Sequence, residues 1–271
     1  MKGNPLILGH RGASIVAPEN TLAAFSRAIL DGAEGIELDV RLSQDGVPMV
    51  IHDASLRRTA LIDGLVCDLT CEQLQKIDVG SSFTGPSLKA PTAPQEPFYS
   101  GEKLPTLAQV LQLFSAIAGL LYIEMKSDAA EGAKLAASVV NCIHEFDIAN
   151  RVVVESFDFA AIAEIKRIDS GIRTAALIEP KLSRTISTIR KLNMLNLARR
   201  VGADEIALHY TLANPRVVEK AREYGLETVV WTVDNPQWIG RARSLGIKAL
   251  ISNDPATMVQ HRNAAAHVIP C

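Results

Sequence analysis

The sequence predicts an α/β fold, a TIM-type (β/α)8 barrel in which parallel strands are enclosed by helices. The main observation is that short apolar segments alternate with segments of helical spacing through the second half of the chain. A glycine follows two of the helical segments, at Tyr224-Gly225 and Leu245-Gly246, where a left-handed C-cap would lie. The 271 residues also suit this fold, which commonly takes about 250. We therefore expect one domain over residues 1–271.

The elements follow in chain order. The first expected strand is Leu6–Gly9, and the first expected helix runs from Thr21 to about Leu30 with Asn20 as its N-cap. Strands then alternate with helices, as in a parallel sheet covered on both faces. The other expected strands are Ile36–Val40, Met49–His52, Leu121–Met125, Val152–Ser156, Thr174–Ile178, Glu205–His209, Thr228–Val233 and Lys248–Ser252. The other expected helices are Glu131–Phe146, Phe159–Asp169, Pro215–Tyr224 and Pro236–Leu245.

Two irregularities are expected in the first half of the barrel. The nine strand candidates exceed the eight places of a barrel, and the link from Val40 to Val47 is too short for a crossover helix. Strands two and three therefore form either a hairpin or a pair joined by a short extended link. Residues 54–103 break the alternation and are rich in glycine and proline, so we expect an insertion packed over one end of the barrel, the end at which this fold places functional groups.

Composition excludes several classes of function. A net charge of -2 provides no electrostatic footprint for nucleic acid. No apolar stretch approaches the 18 or so residues of a membrane span, and Met1 to Pro5 leave no room for a signal segment before the first strand. The four cysteines need not be paired in a chain of this size. We expect a cytoplasmic protein, and its oligomeric state is not readable from these features.

Three acidic residues indicate a cation site. Glu37 and Asp39 alternate with apolar residues, so both point into the barrel if the apolar face meets the helices. The same alternation in the next strand puts Glu124 and Lys126 on one face. Three carboxylates at one mouth would suit Mg2+, Ca2+ or Mn2+. The alternative is that Glu37 and Asp39 line the solvent-facing side of an antiparallel strand.

Two histidines end strands near these carboxylates. His10 ends the first strand, and His52 ends the segment Met49–His52. A pair of imidazoles can act as base and acid across a bond that is being displaced. Arg11 and Lys126 would then bind a phosphate or carboxylate, unless they form salt bridges with the neighbouring acids.

These residues together resemble the glycerophosphodiester phosphodiesterase family. The resemblance covers nearly the whole chain. The similar motifs are His10-Arg11-Gly12 with Pro18-Glu19-Asn20-Thr21, Glu37-Leu38-Asp39-Val40, Asp45-Gly46, Val50-Ile51-His52-Asp53, Asp68-Leu69-Thr70, Asp78-Val79-Gly80, Leu104-Pro105-Thr106-Leu107, Ile123-Glu124-Met125-Lys126, Ser156-Phe157-Asp158, Trp231-Thr232-Val233-Asp234 and Ile251-Ser252-Asn253-Asp254-Pro255.

The resemblance implies a role for each candidate residue. A divalent cation would be held by Glu37, Asp39 and Glu124, and His10 and His52 would form the acid–base pair. Arg11 and Lys126 would lie near the phosphate, and Trp231 would line the glycerol side of the pocket. The implied reaction cleaves a small glycerophosphodiester to glycerol phosphate and an alcohol.

Three departures from the family pattern bear on the substrate. Residues 60–66 lack the usual run of threonine and glycine, and Ser252-Asn253 replaces a usual Thr-Asp. Glu155 stands where an uncharged amide is more usual, and if it faces the mouth it would add a fourth carboxylate to the metal site or contact a cationic head group. Two other functions stay open: a lipid-directed enzyme like sphingomyelinase D or lysophospholipase D, and a non-catalytic phosphate-binding barrel.

Overall fold

Eight parallel strands close into a barrel that is surrounded by a ring of helices, which confirms the predicted TIM-type fold. The computed structural model describes residues 3–85, 99–126, 131–180 and 188–264, with side chains from residue 193 in the last range. The barrel strands are β1 (Leu6–His10), β2 (Gly35–Leu42), β4 (Leu120–Met125), β5 (Val152–Ser156), β6 (Arg173–Ile178), β7 (Glu205–His209), β8 (Glu227–Trp231) and β9 (Ala249–Ser252), and β3 (Pro48–Val50) lies outside the barrel. Pairing of β1 with both β2 and β9 closes the barrel.

The predicted helices are present, with ends within two residues of those expected from the sequence. The helices are α1 (Leu22–Leu30), α2 (Arg57–Ala60), α3 (Cys71–Leu74), α4 (Leu107–Ala116), α5 (Gly132–Glu145), α6 (Phe159–Ile168), α7 (Thr188–Arg200), α8 (Pro215–Glu223), α9 (Trp238–Leu245) and α10 (Pro255–Ala264). One predicted cap was wrong, because Thr21 is the N-cap of α1 and accepts the N–H of Ala24 at 3.2 Å.

The uncertainty at the second and third strands resolves into a hairpin. Strand β3 pairs antiparallel with β2, with Val40 opposite Val50. Because β2 also pairs in parallel with β1 and β4, β3 adds a short flap outside the barrel. Of the nine strand candidates, Met49–His52 is therefore the one that takes no place in the barrel.

Alternation along the strands separates the outer core from the barrel interior. Ile36, Leu38 and Val40 are fully buried and pack with apolar residues of the surrounding helices. Glu37 and Asp39, between them, point inward and are also buried. The barrel interior continues below them in a layer of apolar side chains, which comprises Leu8, Tyr122, Val153, Ala175, Leu177, Ala207, Val229, Ala249 and Ile251. This layer separates the carboxylates from the opposite end of the barrel.

The described parts of residues 54–103 pack on the β2–β3 hairpin through a small apolar cluster. Its buried members are Met49, Ile51, Leu56, Val66, Leu74, Val79 and Leu104. This cluster fixes α2 beside the segment that carries His52. Within the described ranges, the helices are too short or too polar to cross a bilayer, and Cys67, Cys71 and Cys142 have free thiols.

Candidate active site

The residues singled out in the sequence meet at the end of the barrel where the strands terminate. Seven of them line one cavity with an empty volume of about 450 Å³, part of which is open to solvent: His10, Arg11, Glu37, His52, Glu124, Lys126 and Trp231. The eighth, Asp39, is fully buried and contacts the Arg11 and Lys126 side chains. The carboxyl end of the strands is where enzymes of this fold place reactive groups.

Glu37, Asp39 and Glu124 form one compact group of carboxylates. Each offers an oxygen that lies within 4.8 Å of the other two, and all three side chains are buried. Strand register explains this arrangement, because Asp39 lies directly opposite Glu124 across the β2–β4 pair. Three hard oxygen donors of this kind match the ligands preferred by Mg2+ and Ca2+.

Two carboxylate oxygens of this group have incomplete hydrogen bonding. Asp39 Oδ1 and Glu124 Oε1 are buried and lie within ion-pair distance of the Lys126 ammonium, but neither accepts a hydrogen bond of good geometry among the described residues. Buried carboxylate oxygens whose hydrogen bonding is incomplete are uncommon, and a bound ion is one explanation for them. The donor set therefore fits a divalent cation, for which Glu37, Asp39 and Glu124 would be the ligands.

The charges of these carboxylates depend on one another. Burial, together with the neighbouring Asp39 and Glu124, raises the pKa of Glu37 well above its ordinary value. Burial and Asp39 likewise raise the pKa of Glu124. Burial opposes ionisation of Asp39 too, but Lys126 and Arg11 outweigh it and lower the pKa of Asp39. Asp39 is thus the carboxylate that stays ionised most readily.

Two basic side chains already contact this group. The Lys126 ammonium lies 2.7 Å from Glu124 Oε1 and 3.3 Å from Asp39 Oδ1. The Arg11 guanidinium lies 3.1 Å from Asp39 Oδ2 and 2.9 Å from Glu19 Oε1. The sequence left open whether Arg11 and Lys126 bind an anion or form salt bridges with neighbouring acids. In the structure both form such salt bridges and both also line the cavity.

His10 is held through Nδ1 by Asn253. The ring nitrogen donates to Asn253 Oδ1 at 2.6 Å, and Asn253 Nδ2 donates to Asp234 Oδ2 at 2.8 Å. A carboxylate only accepts, so Asp234 fixes which end of the amide faces His10. The proton therefore lies on Nδ1 and leaves Nε2 free, 3.8 Å from Glu37 Oε2. Burial and the charge of Arg11 lower the pKa of His10 to about 4.

His52 is held through the same ring atom, but by a carboxylate. Its Nδ1 lies 2.6 Å from Asp53 Oδ1, and Asp53 Oδ2 accepts from Arg58 Nε at 2.6 Å. Arg58 also donates two hydrogen bonds of 2.7 Å to Glu19, the partner of Arg11. Burial lowers the pKa of His52 below its ordinary value, although Asp39 opposes the shift.

Asn20 positions a carboxylate, although the sequence suggested a helix cap. Its Nδ2 donates to Asp39 Oδ2 at 2.8 Å, and its Oδ1 accepts the Asp39 backbone N–H at 3.2 Å. Its backbone is left-handed, with φ 59°. The Asn20 backbone N–H donates to the Arg11 carbonyl at 3.0 Å, and the next residue, Gly12, has φ 84° and lies where a Cβ would be 2.5 Å from the Ala24 backbone.

An aromatic wall faces the histidines across the cavity. Trp231 ends β8, donates from Nε1 to the Ala207 carbonyl at 3.1 Å, and meets Phe157 edge-to-face at 5.6 Å. The Lys126 ammonium lies 5.8 Å from the centre of the Phe157 ring. The apolar surface formed by Trp231 and Phe157 therefore lies next to the cationic Lys126 side chain.

Some residues of the site were not predicted from the sequence to support catalytic or metal-binding groups. Asn253, Asp234, Asp53 and Arg58 hold the two histidines, and Asn20 holds Asp39. Four of these lie in motifs of the resemblance, which was the available signal, whereas Arg58 lies in the irregular segment after His52-Asp53. Arg58 reaches Glu19 across 39 residues of chain, so no local spacing could reveal it.

Comparisons with known proteins place the chain among related sequences. The model of the Glycerophosphoryl diester phosphodiesterase family matches residues 10–257. A glycerophosphodiester phosphodiesterase of Caldanaerobacter subterraneus is 31% identical over 254 residues, which cover 94% of this chain and 96% of the relative. One of Bacillus subtilis is 31% identical over 255 residues, covering 92% and 84%.

Solved structures share the fold. A glycerophosphodiester phosphodiesterase of Thermotoga maritima superposes with a TM-score of 0.72 at 26% identity, over 96% of this chain and 99% of its own. A phosphodiesterase of Oleispira antarctica, solved with the product sn-glycerol-3-phosphate, superposes with a TM-score of 0.81 at 23% identity, covering 96% and 97%. With the family match and the relatives at 31% identity, the chain belongs to the glycerophosphoryl diester phosphodiesterase family of phosphoric diester hydrolases.

Proposed function

We propose that this protein hydrolyses small glycerophosphodiesters to glycerol 3-phosphate and an alcohol. A divalent cation would be held by Glu37, Asp39 and Glu124, and His10 and His52 would act as the acid–base pair. The observation that carries the proposal is the meeting of these five side chains at one cavity. Relatives at 31% identity that are named for this activity support the reaction class.

The histidines are prepared to move protons at Nε2. Asn253 and Asp53 each occupy an Nδ1 atom, so the second nitrogen of each ring is left for the substrate. Proton transfer by a positioned side chain contributes about 10²–10⁴-fold to a rate. One imidazole would take the proton of the attacking oxygen, and the other would give a proton to the departing alkoxide.

The charged groups of the cavity would bind the phosphate. A bound cation would supply a Lewis acid that offsets charge on the non-bridging phosphate oxygens. Arg11 and Lys126 already line the cavity, so both are within reach of an anion that enters it. Trp231 and Phe157 would pack against the glycerol carbons and orient the diester between the histidines.

The attacking oxygen defines two routes. Water would give glycerol phosphate directly, whereas the glycerol hydroxyl next to the phosphate would give a cyclic phosphate that is then hydrolysed. Phosphorus NMR of the early reaction distinguishes them, because only the second route accumulates the cyclic ester.

A coupled assay for glycerol 3-phosphate tests the reaction. Glycerophosphocholine, glycerophosphoethanolamine and glycerophosphoglycerol would be compared after EDTA treatment and after Mg2+ or Ca2+ is restored. We expect turnover that requires a cation. Full activity in EDTA would contradict the cation, and no release of glycerol 3-phosphate from any diester would contradict the reaction.

Histidine variants test the acid–base pair. We expect His10→Ala and His52→Ala each to lower kcat by about 10²–10⁴-fold. His144→Ala is the matched control, because His144 pairs with Asp169 on the outside of α5, away from the cavity. Near-normal turnover in both cavity variants would contradict the assignment.

A lipid-directed activity is the second candidate, and one feature favours it. Leu61, Ile62 and Leu65 are exposed in the 54–103 insertion, just after the helix that carries Arg58. We propose that this insertion belongs to the single domain and could meet an acyl chain near the mouth. Product analysis on lysophosphatidylcholine beside glycerophosphocholine separates the two activities.

A further inference from the structure

Glu155 is a buried carboxylate of the cavity to which the proposed reaction assigns no role. It lies directly opposite Glu124 across the β4–β5 pair, so both side chains point into the barrel. The neighbouring Val154 points outward into the helix-facing core. Glu155 lines the same cavity as Glu37 and Glu124 and is 1% exposed.

The charge of Glu155 has no compensation among the described side chains. Its Oε2 atom is buried and has no hydrogen-bond partner, and no lysine, arginine or histidine of the described residues lies within 4.0 Å. Burial of an unpaired carboxylate is expensive, so such groups are normally paired or bound to metal. Burial and the nearby Glu37 raise the pKa of Glu155 far above its ordinary value in the absence of a cation.

The lysine and arginine side chains of the cavity form salt bridges with acidic residues other than Glu155. Lys126 contacts Asp39 and Glu124, and Arg11 contacts Asp39 and Glu19. Glu37 and Glu155 remain as the two cavity-floor carboxylates without a lysine or arginine side chain within ion-pair distance in the described ranges. Their combined charge equals that of one divalent cation.

We propose that Glu155 is a fourth carboxylate beside the cation site, outside the group in which Glu37, Asp39 and Glu124 lie within 4.8 Å of one another, and that its charge strengthens cation binding. The inference rests on the divalent cation proposed above. A contact with a cationic head group is the weaker reading, because Glu155 is sealed beneath the mouth, whereas Glu179 lines the cavity from an exposed position. A fourth carboxylate would raise the negative charge of the site, which is one determinant of its affinity for a cation.

Titration calorimetry without substrate tests this role. Protein stripped with EDTA would be titrated with CaCl2 and with MgCl2, as wild type, Glu155→Gln and Glu179→Gln. Glutamine keeps the size of the side chain and removes its charge. We expect Glu155→Gln to raise the Kd of both cations by about tenfold or more, and Glu179→Gln to leave them unchanged.

Thermal unfolding of the same proteins separates cation binding from a structural role. Without cation, Glu155→Gln should unfold at or above the wild-type Tm, because a buried unpaired carboxylate has been removed. With saturating CaCl2, its gain in Tm should be smaller than that of the wild type. A fall in the Tm of the cation-free variant, together with an unchanged gain from CaCl2, would overturn the proposal.

The remaining outcomes separate this proposal from the proposed function. Equal Kd values for wild type and Glu155→Gln would overturn the role of Glu155 alone, whatever the activity. A wild type that binds neither cation would overturn the cation site and this role together. If only the KM for glycerophosphocholine changes, and not that for glycerophosphoglycerol, Glu155 contacts the head group and the proposal is wrong.

Discussion

His10 and Asn253 are joined by a 2.6 Å hydrogen bond between Nδ1 and the amide oxygen, although 243 residues separate them in the chain. The bond links the end of β1 to the residue after β9, which are neighbours in the closed barrel. Asp234 extends it by accepting from both the Asn253 side chain and its backbone N–H. The imidazole is thus held by two strand ends.

Asn253→Leu should lower kcat with little change in KM. Leucine cannot accept from Nδ1, so the ring loses both its orientation and its preferred tautomer. Misplacement of a catalytic group by about 1 Å costs about 10²-fold, and we expect a loss of that order. Steady-state kinetics on glycerophosphocholine measures it. A variant with wild-type kcat would show that Asn253 does not position His10.

The low pKa of His10 should appear in the pH dependence of stability. In the unfolded chain the imidazole has its ordinary pKa of 6.5, whereas burial lowers the folded value to about 4. Between these values the unfolded state binds more protons, so stability falls as pH falls from 6.5 towards 4. The full difference would be about 3 kcal/mol.

Urea unfolding in EDTA at pH 7.5 and pH 4.5 measures this term. His10→Asn removes the titrating group, so the variant should lose less stability than the wild type over this interval. Carboxylates titrate in both proteins, so their contribution to the change in the free energy of unfolding cancels when the two proteins are compared. Equal losses in the two proteins would mean that His10 titrates normally in the fold.

The barrel could be predicted because its signals are local. Strand alternation places Ile36 and Leu38 outward and Glu37 inward, and this follows from a period of two along the chain. The hairpin could not be decided, because a short link after Val40 permits either direction of pairing. The antiparallel partner of Val40 is Val50, which only the three-dimensional packing selects.

The clustering of the three proposed cation ligands could be predicted from strand alternation, whereas the contacts that position them could not. Asn20 and Thr21 are both favoured at helix N-caps, and the sequence does not reveal that Asn20 adopts φ 59° and turns towards Asp39. Arg58 likewise reads as one more surface arginine. Such residues act through contacts that exist only after distant strands and loops have come together.

Asn20 and Thr21 make a matched pair of variants for the support of Asp39. Asn20→Gly removes the two hydrogen bonds to Asp39 while suiting the left-handed backbone. Loss of a residue that positions a metal ligand typically lowers metal affinity by about 10–100-fold. Calorimetry should therefore show that Asn20→Gly raises the Kd for Ca2+ by a factor of this size. Thr21→Ala removes the helix cap and the hydrogen bond from the Thr21 hydroxyl to the Pro18 carbonyl, but no contact with Asp39.

The two variants should therefore differ in what they change. Thr21→Ala should lower the free energy of unfolding by about 1 kcal/mol and leave the Kd for Ca2+ unchanged. If Asn20→Gly also leaves that Kd unchanged, the amide does not support the cation site. Urea unfolding of both variants in EDTA measures how far each substitution destabilises the fold. A rise in Kd that exceeds this destabilisation then reports the loss of the Asp39 orientation.

Arg58 should affect catalysis more than stability. Its guanidinium bridges Asp53 and Glu19, the partners of His52 and Arg11, yet the side chain is 48% exposed. Exposed ion pairs typically contribute about 0–1 kcal/mol, so Arg58→Gln should unfold nearly as the wild type does. Loss of the bridge frees both partners, and we expect kcat to fall by about tenfold.

Arg57→Gln is the control, because Arg57 pairs with Asp63, and both are mainly exposed. Equal kcat values for the two variants would show that the bridge does not position the site.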